Sequence, residues 1–287
     1  MHYVWLGGKL PEERQKSIEQ WGESAEGVER NLWTDEGSSK ASAESLEQLR
    51  KSGVKIRSLS ELEGSKRFKS ARRKLPTVDE EGVNPGAAGA LSDVARLEIL
   101  NQEGGHYMDS DNYSGKNASS FRDMTAPLGF RLGWAKHEGE ETFSNDAMSA
   151  VPGNKFINDY MDTVYSNLED EEAVQDIRSR DRKRVTTSVM KTTGPQAMTT
   201  VPLPISKGTA TTVRKEMGDF AESKGVPVLE DEKEGVDISH FQQHNLILSG
   251  FNKKMSGKSS ELFDQIAYRD SFQRGFGNAW VPKEKED

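Results

Sequence analysis

Residues 90–113, ALSDVARLEILNQEGGHYMDSDNY, decide the fold and carry the most informative chemistry of the chain. Apolar residues recur at helical spacing over 91–99, which predicts an α-helix. The glycine pair at 104–105 ends this helix, because glycine adopts the left-handed cap conformation without a steric penalty. The rest of the stretch predicts a short strand over 106–108 that ends in acidic residues.

Two carboxylates follow the predicted strand, Asp109 and Asp111, separated by Ser110. Oxygen ligands of this kind suit a hard divalent cation, which also accepts water and substrate phosphates. Ligands of open α/β sheets collect beyond the carboxyl ends of strands. Asp93 and Arg96 are three residues apart and share one face of the preceding helix. Taken singly, these features also fit a solvated turn and a surface ion pair.

The combined pattern resembles the DXD-type glycosyltransferases, above all the large clostridial glucosylating toxins and related bacterial effector glycosyltransferases. The residues that carry the resemblance are Ser92-Asp93-x-x-Arg96, Gly104-Gly105, Tyr107 and Asp109-x-Asp111. The resemblance implies a GT-A type α/β fold, in which helices flank a Rossmann-like, mostly parallel mixed sheet. It also implies transfer of a sugar from a nucleotide donor.

Strand–helix alternation at the start of the chain supports the same fold class. Short apolar strands are predicted over 2–6, 30–35 and 54–57, with helices between them over 11–21 and 41–52. Alternation of this kind predicts βαβ units and a parallel sheet. We interpret residues 1–287 as a single domain, with helical, acceptor-side insertions over 151–265.

Bulk composition excludes several classes of protein. The chain has 287 residues, a net charge of −8 and no cysteine, and its mean hydropathy is −0.79. The negative charge argues against nucleic-acid binding, and the absence of cysteine removes disulfides and thiolate metal sites. No apolar run reaches the roughly 20 residues of a membrane span. We expect a soluble monomer, in the bacterial cytoplasm or delivered as an effector without a standard signal peptide.

The first strand contains a candidate base-binding residue. His2-x-x-Trp5-Leu6-Gly7-Gly8 is similar to the opening strand of the toxin-like enzymes, whose tryptophan stacks on the uracil of a UDP-sugar. The resemblance therefore implies that Trp5 and Leu6 contact the donor. Without the resemblance, Trp5 fits a core aromatic residue better than a base-binding one.

Two later segments extend the resemblance. Phe143-Ser144-Asn145-Asp146 resembles the acceptor-side segment of the family, where a polar side chain contacts the transferred sugar. Ser, Asn and Asp also favour helix N-caps, so a helix start is the alternative here. Lys191-Thr-Thr-Gly194-Pro195 resembles the Thr-Gly-Pro signature of the DXD sugar transferases, and locally it predicts a turn.

The C-terminal tail, Gly275-Phe-Gly-Asn278-Ala-Trp280, resembles the flexible loop that covers the donor in the toxin-like enzymes. The resemblance implies that Trp280 reaches the glycosidic oxygen and that Asn278 binds the metal. The toxins place a glutamate ligand a few residues upstream, where this chain has Gly275. Another residue or water would supply that ligand. Alternatively, Trp280 packs onto the core as a terminal aromatic residue.

The resemblance thus assigns candidate roles to a defined set of residues. Catalytic roles fall on Asp93, Arg96, Asp109, Asp111, Asn145, Asp146 and Trp280. Donor-binding roles fall on Trp5, Leu6, Tyr107, Asp109, Ser110, Asn278 and Trp280. Metal ligation falls on Asp109, Asp111 and Asn278, with Mn²⁺ as the expected ion and Mg²⁺ as the alternative.

Two other features have open interpretations. Residues 65–74, SKRFKSARRK, carry six basic side chains and fit a solvated face, a diphosphate contact, an acidic partner or a membrane surface. His240 and His244 are four residues apart and fit one face of a helix, as in half of a metal site. No HExxH pattern surrounds them.

The reaction implied by the resemblance is metal-dependent, retaining transfer of glucose or N-acetylglucosamine from a UDP-sugar to an acceptor hydroxyl. No dedicated nucleophile is evident in the sequence, which favours a front-face mechanism. The expected acceptor is a protein of a target cell, and a surface glycan is the alternative. A UDP-sugar-binding module without turnover and a carboxylate–metal hydrolase remain the competing functions.

Overall fold

The computed structural model describes residues 1–25, 27–114, 128–137, 140–223, 236, 257–268 and 272–274. Its strands are β1 (His2–Trp5), β2 (Arg30–Thr34), β3 (Val54–Ser58), β4 (Val78–Asp79), β5 (Gly82–Val83), β6 (Gly105–Met108), β7 (Asn112–Ser114), β8 (Phe130–His137), β9 (Glu140–Ala150), β10 (Ala267–Tyr268) and β11 (Phe272–Arg274).

The helices of the described residues alternate with these strands in the first half of the chain and follow one another in the second. They are α1 (Glu12–Ser24), α2 (Glu36–Ala41), α3 (Ala43–Lys51), α4 (Lys66–Lys74), α5 (Pro85–Glu103), α6 (Lys155–Asn167), α7 (Glu171–Arg178), α8 (Arg182–Thr192), α9 (Pro195–Thr199), α10 (Lys207–Glu222) and α11 (Gly257–Ile266). A 3₁₀ turn at Leu59–Leu62 joins β3 to α4.

A seven-stranded sheet in the order β10-β8-β9-β6-β1-β2-β3 forms the centre of the molecule. The pairs β1–β2, β2–β3, β1–β6 and β10–β8 are parallel, whereas β9 runs antiparallel to both β6 and β8. The mixed, mostly parallel sheet predicted from the sequence is therefore confirmed. Because β1, β2 and β6 are parallel, their carboxyl ends lie at the same edge.

Two hydrophobic clusters cover the two faces of this sheet, because neighbouring residues of a strand point to opposite faces. Tyr3 belongs to the smaller cluster, with Trp21 of α1 and Leu49 of α3. Val4 belongs to the larger one, which includes the buried residues of α5 and α6. The helices on both faces thereby fix the strands whose ends carry the polar residues.

Helix α5 begins earlier than its apolar pattern indicated. Asn84 caps it by accepting a hydrogen bond from the Ala87 amide, and Pro85 occupies the first turn, where its missing N–H costs nothing. The segment between α4 and α5 contains the short hairpin β4–β5. The helix ends at Gly104, whose positive φ of 68° matches the predicted glycine stop.

The alternative of a helix start at Asn145 and Asp146 was wrong. Both residues lie within β9, at the bulge where the register with β8 shifts. The turn predicted at Gly194-Pro195 is present between α8 and α9, and Pro195 occupies the first turn of α9.

The basic run at 65–74 forms α4, and several of its cations pair with neighbouring acids. Arg67 pairs with Asp162 at 2.6 Å, Arg72 pairs with Glu63, and Lys74 pairs with Glu169 at 3.0 Å. Half of the basic residues in this run therefore form ion pairs on the solvated surface of α4.

The segment expected to contain insertions includes α6 to α10. Helix α6 packs against α5 and α9, and α9 packs against β9, through the larger hydrophobic cluster. Among the described residues, none of the helices combines the length and apolar character that crossing a lipid bilayer requires.

Candidate active site

The acidic residues predicted to form the site meet at the carboxyl end of β6. The Asp109 amide donates a hydrogen bond to the Asp146 carbonyl of β9 at 2.7 Å. The Asn112 side-chain amide donates to the same carbonyl at 3.1 Å and to an Asp146 carboxylate oxygen at 3.3 Å. These bonds hold β9 against the DXD segment. Asp109, Asp111 and Asp146 are all partly exposed at this edge.

Asp109 lies between a hydroxyl and a guanidinium group. The Tyr107 hydroxyl donates to Asp109 Oδ1 at 2.6 Å, and an Arg96 nitrogen lies 3.3 Å from the same oxygen. Burial raises the pKa of Asp109 to about 6; the charges of Asp146 and Asp93 add to the rise, while Arg96 and Tyr107 oppose it. Negative charge is therefore concentrated at this strand end, where a cation would be attracted.

Behind the strand end is a fully buried polar cluster, formed by Asp93, Arg96, Asn145, Tyr160 and Thr193. Asp93 Oδ1 lies 3.0 Å from Arg96 and accepts a hydrogen bond from the Asn145 amide at 3.0 Å. Asp93 Oδ2 accepts a hydrogen bond from the Thr193 hydroxyl at 2.8 Å. Arg96 also donates to the Asn145 carbonyl at 2.6 Å. The cluster thus joins α5, β9, α6 and the turn before α9.

Electrostatics inside this cluster favour a fixed ion pair. Burial raises the pKa of Asp93, and Arg96, Thr193 and Asn145 counteract the rise. Burial acts to lower the pKa of Arg96, but Asp109, Tyr107 and Asp93 outweigh it and raise that pKa overall. The Arg96 guanidinium also stacks 4.4 Å above the Tyr107 ring, a cation–π contact. Arg96 therefore positions Asp93, Asp109 and Tyr107 together.

The second DXD aspartate has a different partner. Asp111 Oδ2 lies 2.7 Å from an Arg14 nitrogen of α1, and the two side chains are 22% and 6% exposed. Ser110, between the two aspartates, is buried.

The donor set fits a hard divalent cation only in part. Asp109 and Asp111 offer carboxylate oxygens at a partly exposed strand end, which is the chemistry that Mn²⁺ and Mg²⁺ prefer. Within the residues that the structure describes, no group of three His, Cys, Asp or Glu side chains is arranged to hold a metal ion. A cation here would complete its shell with water, donor phosphate or further chain residues.

The end of β1 places the candidate base-binding residue at the same edge of the sheet. Trp5 is the last residue of β1 and is partly exposed, and its indole N–H donates to the Gly8 carbonyl at 3.1 Å. Gly7 has a φ of 84° and donates to Asp35 at 3.1 Å. A side chain at Gly7 would meet the Thr77 carbonyl at 3.1 Å, so the turn depends on glycine. Leu6 is buried in the core.

Some predicted residues lie outside the described ranges. These are the tail residues Asn278 and Trp280, together with His240 and His244. The described strand nearest to the tail is β11, which pairs with β7 directly after the DXD segment, with Arg274 opposite Asn112.

Sequence reasoning missed three contributors to the site. Arg14 is 97 residues from Asp111, and nothing in its own segment marks it. The Tyr160 hydroxyl donates to the Thr193 carbonyl at 2.8 Å and accepts from the Asn145 amide at 3.4 Å, but Tyr160 resembles an ordinary core aromatic of α6. Thr193 belongs to a motif that had been noticed, and the missing information was its partner, Asp93.

The mostly parallel mixed sheet flanked by helices is an α/β fold of the GT-A type. Residues 11–126 match the family model described as "glycosyltransferase sugar-binding region containing DXD motif". The resemblance to the DXD-type glycosyltransferases inferred from the sequence is therefore confirmed over these residues.

Known proteins are similar to this chain over different extents. "Subversion of eukaryotic traffic protein A" of Legionella pneumophila is 30% identical over 167 residues, which are 57% of this chain and 24% of that protein. The chain thus spans about a quarter of that relative. The structure of the PaToxG glycosyltransferase aligns with a TM-score of 0.60 and 18% identity, over 95% of this chain and 87% of the other. This second similarity shows the fold.

Proposed function

We propose that this protein is a metal-dependent, retaining glycosyltransferase that moves a hexose from a UDP-sugar to an acceptor hydroxyl. The observation that carries the proposal is the position of Asp109 and Asp111 directly after β6, with Asp146 of β9 held against the same segment by hydrogen bonds. The ordered cluster of Asp93 and Arg96 lies directly behind them.

The proposed roles follow from exposure and charge. Asp111 and Asp109 are the cation ligands, because their carboxylates are partly exposed at the end of β6. When bound, a divalent cation stabilises the charge that develops on the diphosphate leaving group. Trp5 stacks on the uracil ring with its exposed face.

Asp93 of α5 is the proposed contact for the sugar of the donor. Asp93 keeps little exposed surface, and both of its oxygens are already bonded within the protein. Asp93 would therefore contribute a carboxylate held in place beside Arg96, to which a hydroxyl of the sugar would donate a hydrogen bond. Asp146 is at the rim, whereas Asn145 is buried. Of these two, Asp146 is the better candidate for contact with the sugar.

Retention is proposed by resemblance, and the donor sugar is proposed to be glucose, with N-acetylglucosamine as the alternative. The acceptor is proposed to be a protein of a target cell. The name of the Legionella relative refers to eukaryotic traffic, which supports a target-cell acceptor over a surface glycan. Asn278 and Trp280 are proposed to close over the diphosphate and exclude water.

UDP release tests the proposal directly. Purified protein is incubated with a panel of UDP-sugars, with Mn²⁺, with Mg²⁺ and with a chelator. We expect one donor to be turned over, with loss of turnover on chelation and in Asp111→Asn. Asp162→Asn is the matched control, since it removes an exposed carboxylate of α6. Absence of turnover together with absence of metal-dependent UDP binding by calorimetry would overturn the proposal.

A UDP-sugar-binding module without turnover is the second candidate. The observation that favours it is Gly275, at the position where the resembled toxins have a glutamate ligand. Metal-dependent UDP binding without hydrolysis or transfer, for any donor and in the presence of target-cell extract, would support this candidate.

A further inference from the structure

Arg14 is a buried cation that the family pattern does not account for. It is in the first turn of α1, where its amide donates to the Pro11 carbonyl at 3.1 Å, and its side chain is 6% exposed. A buried guanidinium group stays charged at neutral pH, because its ordinary pKa is far above 7. Burial lowers the pKa of Arg14, and the charges of Glu13 and Asp109 oppose that change.

Arg14 forms an ion pair with Asp111, the second carboxylate of the DXD segment. The 2.7 Å contact uses Asp111 Oδ2, and no described residue is paired with the other oxygen. One oxygen is therefore held from the protein side while the carboxylate stays 22% exposed. Proteins commonly orient a metal-ligating side chain through a second residue, which binds an atom of that side chain that does not face the metal.

Docking of α1 does not depend on this ion pair. Ser17 donates from its hydroxyl to the Asn112 carbonyl at 2.8 Å, and Trp21 donates from its indole N–H to the same carbonyl at 2.7 Å. Near the end of α1, the Ser24 hydroxyl donates a hydrogen bond to the Ser114 hydroxyl at 2.7 Å. These contacts align α1 with β7 and so fix Arg14 beside Asp111. The ion pair then acts on the carboxylate rather than on the helix.

We propose that Arg14 is a positioning residue for cation binding: it holds one oxygen of Asp111 so that the other faces the metal. This inference rests on the proposed function. It predicts that loss of Arg14 weakens binding of the cation, although removal of a positive charge by itself would strengthen it.

The test is the Mn²⁺ dissociation constant at a fixed UDP concentration, measured from the electron paramagnetic resonance signal of free Mn²⁺. We expect Arg14→Gln to raise this constant by about 10- to 100-fold, the range for loss of an outer partner of a metal ligand. Arg14→Lys should fall between wild type and Arg14→Gln, because it keeps the charge without the planar fork. Excess Mn²⁺ should restore UDP binding to Arg14→Gln.

A matched control separates positioning from general loosening of α1. The Arg30 guanidinium donates to the Ile18 carbonyl of α1 at 3.1 Å and is paired with none of the site carboxylates among the described contacts. Arg30→Gln should lower the melting temperature without changing the Mn²⁺ dissociation constant.

Two results have distinct meanings. An unchanged or smaller dissociation constant in Arg14→Gln, with a clear increase in Asp111→Asn, would overturn the role of Arg14 and leave the proposed function standing. An unchanged constant in Asp111→Asn itself would overturn the proposed function. In that case the Arg14 inference would fail with it.

Discussion

Two regions of the molecule surround an arginine with the same kinds of partner. At the strand-end site, Arg96 contacts Asp93, Asp109 and the Tyr107 ring. At the outer strand of the sheet, β3, Arg57 lies 2.6 Å from both Glu61 and Glu103. Its guanidinium group also stacks 3.9 Å above the ring of Trp33.

The difference between the two regions is solvent. The Arg96 side chain is 6% exposed, and that of Arg57 is 25% exposed. Water and salt screen the outer set, so its ion pairs contribute little to stability. Around Arg96, water cannot replace a lost partner, so removal of one residue leaves a buried charge without a counter-ion. The same types of side chain thus form loosely coupled surface ion pairs around Arg57 and a fixed, interdependent cluster around Arg96.

Removal of the two arginines should give the largest contrast. Arg96→Met leaves Asp93 buried without its counter-ion, and we expect a loss of about 3–5 kcal/mol in the free energy of unfolding. Arg57→Met should cost about 1 kcal/mol or less. Guanidinium denaturation at pH 7 measures both. Equal losses in the two variants would show that burial does not distinguish the regions.

A buried histidine, whose charge changes with pH, sharpens the comparison. Burial lowers the pKa of His106 from 6.5 to about 4. The unfolded chain therefore takes up the proton first as the pH falls, and stability is lost from about pH 6.5 downwards. We expect this histidine to contribute roughly 2 kcal/mol of that loss between pH 8 and pH 5.

His106→Gln tests this contribution, since glutamine does not titrate. The stability of the variant, measured by denaturation at several pH values, should fall less steeply below pH 6.5 than that of wild type. Parallel curves for the two proteins would contradict the assignment to His106.

Loss of one hydroxyl in the buried cluster should have a smaller effect. Thr193→Val keeps the shape of the side chain but removes the hydrogen bond to Asp93, and we expect a loss of about 1.5 kcal/mol in the free energy of unfolding. Thr186→Val is the matched control, because the Thr186 hydroxyl donates to the Arg182 carbonyl on the exposed surface of α8. The control should change stability by less than about 0.5 kcal/mol. A similar loss in both variants would refute the special role of Thr193.

The smallest effect is expected at the outer arginine. Glu103→Gln removes one of the carboxylates of Arg57, and we expect a loss below about 0.5 kcal/mol that vanishes at 1 M salt. Thermal unfolding in low and high salt measures it. A loss that persists at 1 M salt would indicate that this pair is shielded from solvent like the buried one.

Local patterns predicted much of the architecture. The first three strands, the glycine stop at 104–105 and the position of Asp109 and Asp111 after a strand all follow from periodicity and turn chemistry, and the structure has these elements in that order. They could be predicted because each depends on residues close together in the chain.

Other features depend on residues far apart in sequence, and local patterns do not contain them. Asn145 and Asp146 have the composition of a helix cap, but the pairs on either side of them, Ala147 with Met108 and Ser144 with Gly133, keep them in a strand. Arg14 and Thr193 acquire their roles only when folding brings them to Asp111 and Asp93. Tertiary contacts decide such positions, and propensity does not.

The pairing of β11 with β7 has a consequence for the C-terminal tail. Arg274 lies opposite Asn112, the residue after Asp111, and an extended chain spans at most about 3.6 Å per residue. Asn278, four residues later, is therefore tethered within about 14 Å of Arg274. Short tethers of this kind give local concentrations in the millimolar range. A tail peptide added in trans to a chain truncated after residue 274 would need to be supplied at that concentration to replace the tail.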